Sequence, residues 1–309
     1  MPTEPLKVLI TGGAGFIGSH TADMLLEQGI PVTVLDDFST GFRKNLKDHP
    51  LLDVRVGDIR DAAAVASAAA GVSHVLHLAA QVSVAESVEN PRASMDRNIA
   101  GFVNVLEEAR KLNIRRVVFA SSAAVYGAHA SEGTAREDGV PNPSSPYGLE
   151  KLTDEHYGQL YDRLYGLPTL ALRYFNVYGP RQPSNSSYSG VISAFAGRLR
   201  KGEDLDIFGD GLQTRDFVFV RDVATANVRA LFASATGTMN IASGTSHTLL
   251  EVVSALSEVS GTVPRYQFRD GRPGDIRHSS ADISRALKLL DLPCTPLKEG
   301  LSEYWRSLL

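Results

Sequence analysis

Cysteine is nearly missing from this chain: Cys294 is the only one in 309 residues, which excludes an intrachain disulfide and any thiolate metal cluster. A reducing cytoplasm suits such a chain. Long apolar runs are missing too. The run at 8–10 stops at Thr11-Gly12-Gly13, and nothing approaches the ~18 apolar residues of a membrane helix, so neither signal peptide nor membrane anchor is expected. Charge of one sign is absent: 31 Lys and Arg stand against 35 Asp and Glu, scattered along the chain, for a net charge of -4. That balance carries no electrostatic footprint for nucleic acid. The eight histidines form no metal-ligand pattern, and His74 and His77, in the strand-like SHVLHL, read as packing residues. What the chain does have is 43% hydrophobic residues, enough for one large core or two packed units.

Short β-branched runs at 7–10, 32–35, 54–56, 74–77, 116–119 and 169–172 alternate with helical stretches near 15–28, 61–70, 91–112 and 147–165. Such alternation predicts an α/β fold of the Rossmann type, a doubly wound parallel sheet with helices on both faces. The rhythm breaks after Asn176, where RYFNVYGPRQPSNSSYSG is rich in turn formers. A smaller C-terminal α/β unit is expected from there. The strand and helix read at 214–220 and 222–233 would return to the first unit, giving residues 1–175 with 214–240 as one domain, and 176–213 with 241–309 as the other.

Directly after the first strand comes TGGAGFIGSH, in which Gly13, Gly15 and Gly18 match G-x-G-x-x-G while Gly12, Gly15 and Gly18 recur every third residue. Glycines are needed where a tight turn brings backbone against a pyrophosphate, and the amides opening the next helix, at Phe16 and Ile17, then hold its charge. Asp36 ends the second strand, 18 residues past Gly18, with Asp37 beside it. A carboxylate there holds the ribose hydroxyls of NAD and repels the extra phosphate of NADP. Asp58 and Ile59 after the third strand are placed to meet adenine, and the small segment Leu78, Ala79 and Ala80 after the fourth admits the nicotinamide side.

Tyr147 and Lys151 lie four apart in SPYGLEK, so on a helix they share one face. A tyrosine with a pKa near ~10 becomes a base at neutral pH only if lowered by roughly 3 units, about 4 kcal/mol, which a lysine and a cationic nicotinamide ring can supply. The fifth strand runs into Ser121-Ser122-Ala123-Ala124-Val125-Tyr126-Gly127, putting the Ser122 hydroxyl at a strand's carboxyl end, able to bridge a sugar hydroxyl and the tyrosine.

GGAGFIG, HLAA, SSAAVYG, Y-x-x-x-K, RYFNVYGPRQ and RPGDIRHSSAD occur here in one order over nearly the whole chain. In that order they resemble the extended short-chain dehydrogenase/reductases, and among these the UDP-hexose 4-epimerases. The resemblance implies tightly retained NAD on a Rossmann domain and a UDP-sugar on the smaller domain. It implies that Tyr147 takes the C4 hydroxyl proton as the C4 hydride passes to NAD, that the 4-keto sugar turns over, and that the hydride returns to its other face. By position, Asn176, Arg215 and Arg272 would bind the diphosphate, Asp275 the uridine ribose, and Val191 and Phe208 the uracil pocket. Tyr174 is placed by the cofactor, although aromatics after a strand also simply pack. Gln81, Val82 and Ser83 follow HLAA and would face the sugar. A homodimer is implied, with the helices at 91–112 and 147–165 pairing across a two-fold axis.

Dehydratases and decarboxylases on this scaffold place an acidic residue just after the position of Ser122, and alanines at 123 and 124 cannot transfer a proton. A reductive epimerase of the GDP-fucose synthase kind needs a cysteine and a histidine at the sugar, and Cys294 is far in sequence from the site. A non-catalytic dinucleotide sensor is disfavoured by Ser122, Tyr147 and Lys151 standing together; a redox-cycling dehydrogenase would have to release its cofactor. Ser279 stands where strict glucose/galactose epimerases carry a bulky aromatic. The stretch resembles that of bacterial UDP-N-acetylglucosamine 4-epimerases, which implies N-acetylated substrates with the plain hexoses also accepted.

Overall fold

A computed structural model describes residues 6–131, 133–183, 190–271 and 276–309. The first part holds β1 (Val8–Thr11), α1 (Phe16–Glu27), β2 (Val32–Asp36), β3 (Leu52–Val56), α2 (Ala62–Ala69), β4 (His74–His77), α3 (Val84–Glu89), α4 (Pro91–Met95), α5 (Gly101–Lys111), β5 (Arg116–Ser122), α6 (Pro146–Tyr165) and β6 (Thr169–Tyr174). There follow β7 (Asn176–Tyr178), α7 (Val191–Arg200), β8 (Leu205–Phe208), β9 (Thr214–Phe219), α8 (Val220–Phe232), β10 (Gly237–Ile241), β11 (Ser246–Thr248), α9 (Leu249–Ser260), β12 (Tyr266–Arg269), α10 (Ser284–Leu290) and α11 (Leu297–Leu308).

Seven strands make one parallel sheet in the order β3, β2, β1, β4, β5, β6, β10. This bears out the Rossmann-type reading. The inner strands are mostly apolar and buried because both faces are covered, whereas the edge strand β3, which carries Asp53 and Arg55, is only half-buried. Side chains alternate: Val8, Ile10, Val32 and Val34 pack with Ala22 and Leu25 of α1 and Val223 of α8, while Leu9, Leu35 and Val75 pack with Val65 of α2 and Phe102 and Val105 of α5. Between β1 and β4 the chain winds away in opposite directions, and the carboxyl ends of the strands open a crevice there.

The smaller part is built on a three-stranded sheet, β11-β9-β7, and a two-stranded one, β12-β8. Its own core joins Tyr178, Phe195, Ile207, Phe217, Leu256 and Tyr304. Three sequence expectations change. Of the segment 214–240 expected to return to the first unit, the strand does not join the large sheet, since β9 pairs with β7 and β11, whereas α8 packs on α1 and β10 adds beside β6. The stretch at 91–112 is not one regular helix, because a π turn at Asp96–Ala100 separates α4 from α5. The fifth strand also runs further than expected, so Ser122 is its last residue. Among the described residues no helix is long and apolar enough to cross a membrane.

Candidate active site

The β1–α1 turn is shaped by backbone contact. Gly12 has φ +70°, and a Cβ there would stand 2.7 Å from the main-chain nitrogen of Ala79. A Cβ on Gly18 would collide with the carbonyl oxygen of Gly12. Gly15 is the extended N-cap of α1, and the N–H groups of Phe16, Ile17 and Gly18 precede the first helical bond, from Ser19 N to Gly15 O at 3.1 Å. Such leading N–H groups face an anion at a helix start. At the end of β2, Asp36 is buried, with Oδ2 accepting from Ala14 N at 2.8 Å and Oδ1 from Phe38 N at 2.9 Å. Burial holds its carboxyl above the usual range, against the pull of these two N–H groups. The turn and this carboxylate fit a dinucleotide with a free ribose diol. Asp37 is exposed and bonds Ser39.

Asp58 is half-buried; its hydrogen bonds from the Arg60 guanidinium hold its carboxyl low, with burial opposing. Ile59 packs its side chain into the core beside Gly101, leaving its main chain at the β3 end. Leu78, Ala79 and Ala80 are half-buried at the end of β4, tied to β1 by Leu78 N to Thr11 O at 3.0 Å and Ala79 N to Thr11 Oγ1 at 3.3 Å. His77, just before them, is stacked on Phe102 at 5.1 Å, and burial pushes its imidazole down to about 3, so it is neutral.

Helix α6 is defined sharply: Ser145 caps it by accepting from Gly148 N at 3.1 Å, Pro146 occupies the first turn, and Gly166 ends it at φ 65°. Tyr147 is therefore in its first turn, half-buried, with its N–H donated to Ser87 Oγ at 3.1 Å. Lys151 lies one turn on, buried, with Nζ 3.1 Å from Asp154 Oδ2. Burial lowers the lysine's proton affinity, but Asp154, Tyr147 and Glu150 outweigh it and raise the pKa. Ser122 is half-buried at the end of β5, its Oγ accepting from Ala124 N at 3.1 Å.

A buried network backs this edge. Arg173 of β6 makes a two-pronged pair with Glu155, 2.8 Å and 2.7 Å, and Ser121 donates to the same carboxylate at 2.5 Å. Arg173 also donates to Tyr126, whose hydroxyl donates to Asn240 of β10 at 2.7 Å. Tyr174 turns into the core instead, donating its hydroxyl to Asn227 of α8 at 2.6 Å. Ser83 is buried and caps α3, accepting from Glu86 N at 3.0 Å.

On the smaller part, Asn176 of β7 donates to Asp216 O at 3.0 Å, next to Arg215 on the adjoining strand β9. Arg215 is half-buried and donates to Thr214 O at 2.8 Å. Ser279 is buried, and its N–H reaches the same carbonyl at 3.2 Å, which sets it beside Arg215. Val191 and Phe208 are half-buried at the start of α7 and the end of β8. Arg272 and Asp275 lie outside the described residues.

Sequence reasoning missed Asn98. Its amide, placed by the π turn, bonds Gln81 N at 2.8 Å, Gln81 O at 2.9 Å and Glu150 Oε2 at 2.6 Å, fixing the segment after HLAA. It also missed Asp154. The available signal was polar side chains on the buried stripe of α6, at 151, 154 and 155.

The model of the NAD-dependent epimerase/dehydratase family matches residues 8–242. The chain belongs to that family. Over 296 residues, 95% of each chain, it is 41% identical to a putative UDP-glucose 4-epimerase of Methanocaldococcus jannaschii. Its fold superposes with a TM-score of 0.94 on a UDP-N-acetylglucosamine 4-epimerase of Methanobrevibacter ruminantium in complex with UDP-N-acetylmuramic acid, at 36% identity over 99% of both chains. It superposes at 0.90 on the UDP-glucose 4-epimerase of Thermus thermophilus in complex with NAD, at 38% identity over 98% of both. NAD is thus the cofactor of the family and is bound in a solved neighbour.

Proposed function

We propose that this chain is a UDP-sugar 4-epimerase that retains NAD and interconverts UDP-N-acetylglucosamine and UDP-N-acetylgalactosamine, accepting the plain UDP-hexoses as well. The observation that carries the reading is Tyr147 and Lys151 one turn apart on α6, on a sheet whose β5 ends in Ser122 with alanines at 123 and 124. Bound NAD supplies reversible hydride acceptance at the sugar's C4. The Tyr147 phenolate takes the proton of the C4 hydroxyl, Ser122 bridges that hydroxyl and the tyrosine, and the buried Lys151 ammonium stabilises the phenolate. With no acid or base at 123 or 124, the resulting 4-keto sugar has no route to elimination. It turns over, takes the hydride back at the other face of C4, and receives the proton from Tyr147 at its C4 oxygen, giving the other epimer.

Gly12, Gly15, Phe16, Ile17 and Gly18 hold the cofactor's pyrophosphate, Asp36 its ribose, Asp58 and Ile59 its adenine, and Leu78, Ala79 and Ala80 the nicotinamide side. Asn176 and Arg215 take the substrate diphosphate, joined by Arg272, with Asp275 on the uridine ribose and Val191 and Phe208 beside the uracil. Ser83 and Ser279 face the sugar. Serine in place of an aromatic at 279 supports room for the C2 acetamido group. Exposed Leu149, Leu160 and Leu164 form one stripe on α6, which supports a homodimer through this helix, and the single cysteine supports a place in the reducing cytoplasm.

The test is incubation of the purified protein with each UDP-sugar, without added cofactor, and separation of the products. UDP-N-acetylgalactosamine forming from UDP-N-acetylglucosamine, lost in Tyr147→Phe and selectively lost in Ser279→Tyr, is the expected result. Conversion of UDP-glucose alone overturns the substrate; accumulation of NADH or of a keto product overturns the reaction.

A further inference from the structure

Helix α6 carries four ionisable side chains within two turns, Glu150, Lys151, Asp154 and Glu155, and all four are buried. Three are anchored beyond their own helix or serve the site. Glu150 accepts from Ser94 and Asn98, and Glu155 from Ser121 and Arg173. Asp154 differs. It is 0% exposed, its Oδ2 takes the Lys151 ammonium at 3.1 Å, and its Oδ1 is buried with no partner among the described residues. A carboxylate with half its acceptor capacity unused is costly in the interior, and nothing but Lys151 compensates it. Ordinary packing would be served better by an apolar residue.

We propose that Asp154 is a positioning residue of the reaction: its carboxylate holds the Lys151 ammonium charged and in place behind Tyr147, and thereby sets the pH range in which Tyr147 works. The proposal rests on the roles given above to Tyr147 and Lys151.

No cation other than Lys151 offsets the Asp154 charge, and Lys151 lies one helical turn from Tyr147, so the effect of the pair falls on Tyr147. On the same helix, Glu150 adds negative charge, as does Glu155 although Arg173 of β6 is paired with it; across the helix, His77 of β4 is neutral. Tyr126 is bonded to Arg173, Glu107 of α5 to Arg110 and Tyr161, Glu86 of α3 to Arg97, and Asp96 to Arg60. Burial, with Glu150 and Glu155, pushes Asp154 up to about 6 in spite of the lysine, so it is mostly ionised at neutral pH. A negative charge there strengthens proton binding at Lys151, keeping it cationic, and opposes the phenolate of Tyr147. Lys151 spends one of its three N–H donors on Asp154 and keeps two for the site. Removing the charge lowers the proton affinity of both groups, each by about 1 pH unit or more at this separation.

The experiment compares wild type with D154N, its smaller counterpart Asp154→Ser, Lys151→Met, the double variant D154N with Lys151→Met, and Tyr147→Phe. Tyrosinate absorbance is titrated on protein stripped of cofactor, with Tyr147→Phe as the blank. kcat/KM against pH is then measured on the NAD-loaded enzyme, and urea midpoints on the stripped protein. We expect the Tyr147 titration and both limbs of the profile to move to lower pH by about one unit in either Asp154 variant, a tenfold change in rate on each limb. The double variant is expected to be more stable than Lys151→Met alone, since it leaves no unpaired carboxylate. Unmoved titration and limbs, with Tyr147→Phe inactive, overturn the role of Asp154 alone. Epimerisation by Tyr147→Phe overturns the site reading and this role together.

Discussion

Gly12, in the turn before α1, and Gly29, in the turn after it, offer a matched test of what the fingerprint turn requires. Both have left-handed backbone, φ +70° and φ +74°. Alanine at either position meets the same conformational penalty, about 1–2 kcal/mol. They differ in what a Cβ would touch. At Gly29 there is nothing within 4 Å, whereas at Gly12 it would stand 2.7 Å from Ala79 N, 2.8 Å from Ala79 Cα and 2.9 Å from Leu78 C. All three are backbone atoms of the segment after β4, which cannot rotate away. Relief requires the turn and that segment to part by roughly half an ångström or more, adding about 1–3 kcal/mol of overpacking cost. Gly29→Ala should therefore lose about 1–2 kcal/mol and keep its NAD; Gly12→Ala should lose about 2–5 kcal/mol and shed NAD on gel filtration. Urea unfolding of the stripped proteins gives the first quantity, and the absorbance ratio of the eluted protein gives the second. Equal destabilisation of the two variants, with NAD retained by both, would refute the claim that close backbone approach is what demands glycine at position 12.

Three further outcomes follow from the geometry. Arg173→Met leaves Glu155 buried without its partner and should cost about 3–5 kcal/mol in urea unfolding, with much of that recovered when Glu155 is changed to Leu as well; a loss below about 1 kcal/mol would mean the network adds little. Asp36→Ala removes the acceptor for Ala14 N and Phe38 N, and NAD retention should fall at least about tenfold while discrimination against NADP relaxes; unchanged selectivity between the two dinucleotides, read by titration calorimetry on stripped protein, would count against its ribose role. His77 is held down to about 3, below its unfolded value near 6.5, because burial disfavours its charged form. The stability this confers is complete above about pH 6.5 and is lost as pH falls towards 3, at up to ~1.4 kcal/mol per pH unit. Urea midpoints at pH 7 and pH 5 should therefore differ less in His77→Phe, which keeps the ring against Phe102, than in wild type.

The parts of this protein legible in its sequence are those decided within a few residues. Apolar runs such as Val8–Thr11, buried on both faces, marked the parallel strands. The glycine spacing marked the tight turn, and four-residue spacing put Tyr147 and Lys151 on one helical face, because helix geometry alone relates i to i+4. Relations between distant segments were decided only by the tertiary structure. Hydrogen bonding in a parallel sheet leaves no mark of which strand comes next, so β10 joining β6, and β9 joining the small sheet, could not be read from strand propensity. The same holds for polar side chains. Glu155 finds Arg173 across a strand and Asn98 reaches Gln81 through a π turn, while Ser83 and Tyr174 spend hydroxyl contacts on Glu86 N and Asn227. Asp154 beside Lys151 was visible as a three-residue spacing, yet burial, which depends on every element packed around α6, is what turns that surface-like pair into a costly interior one.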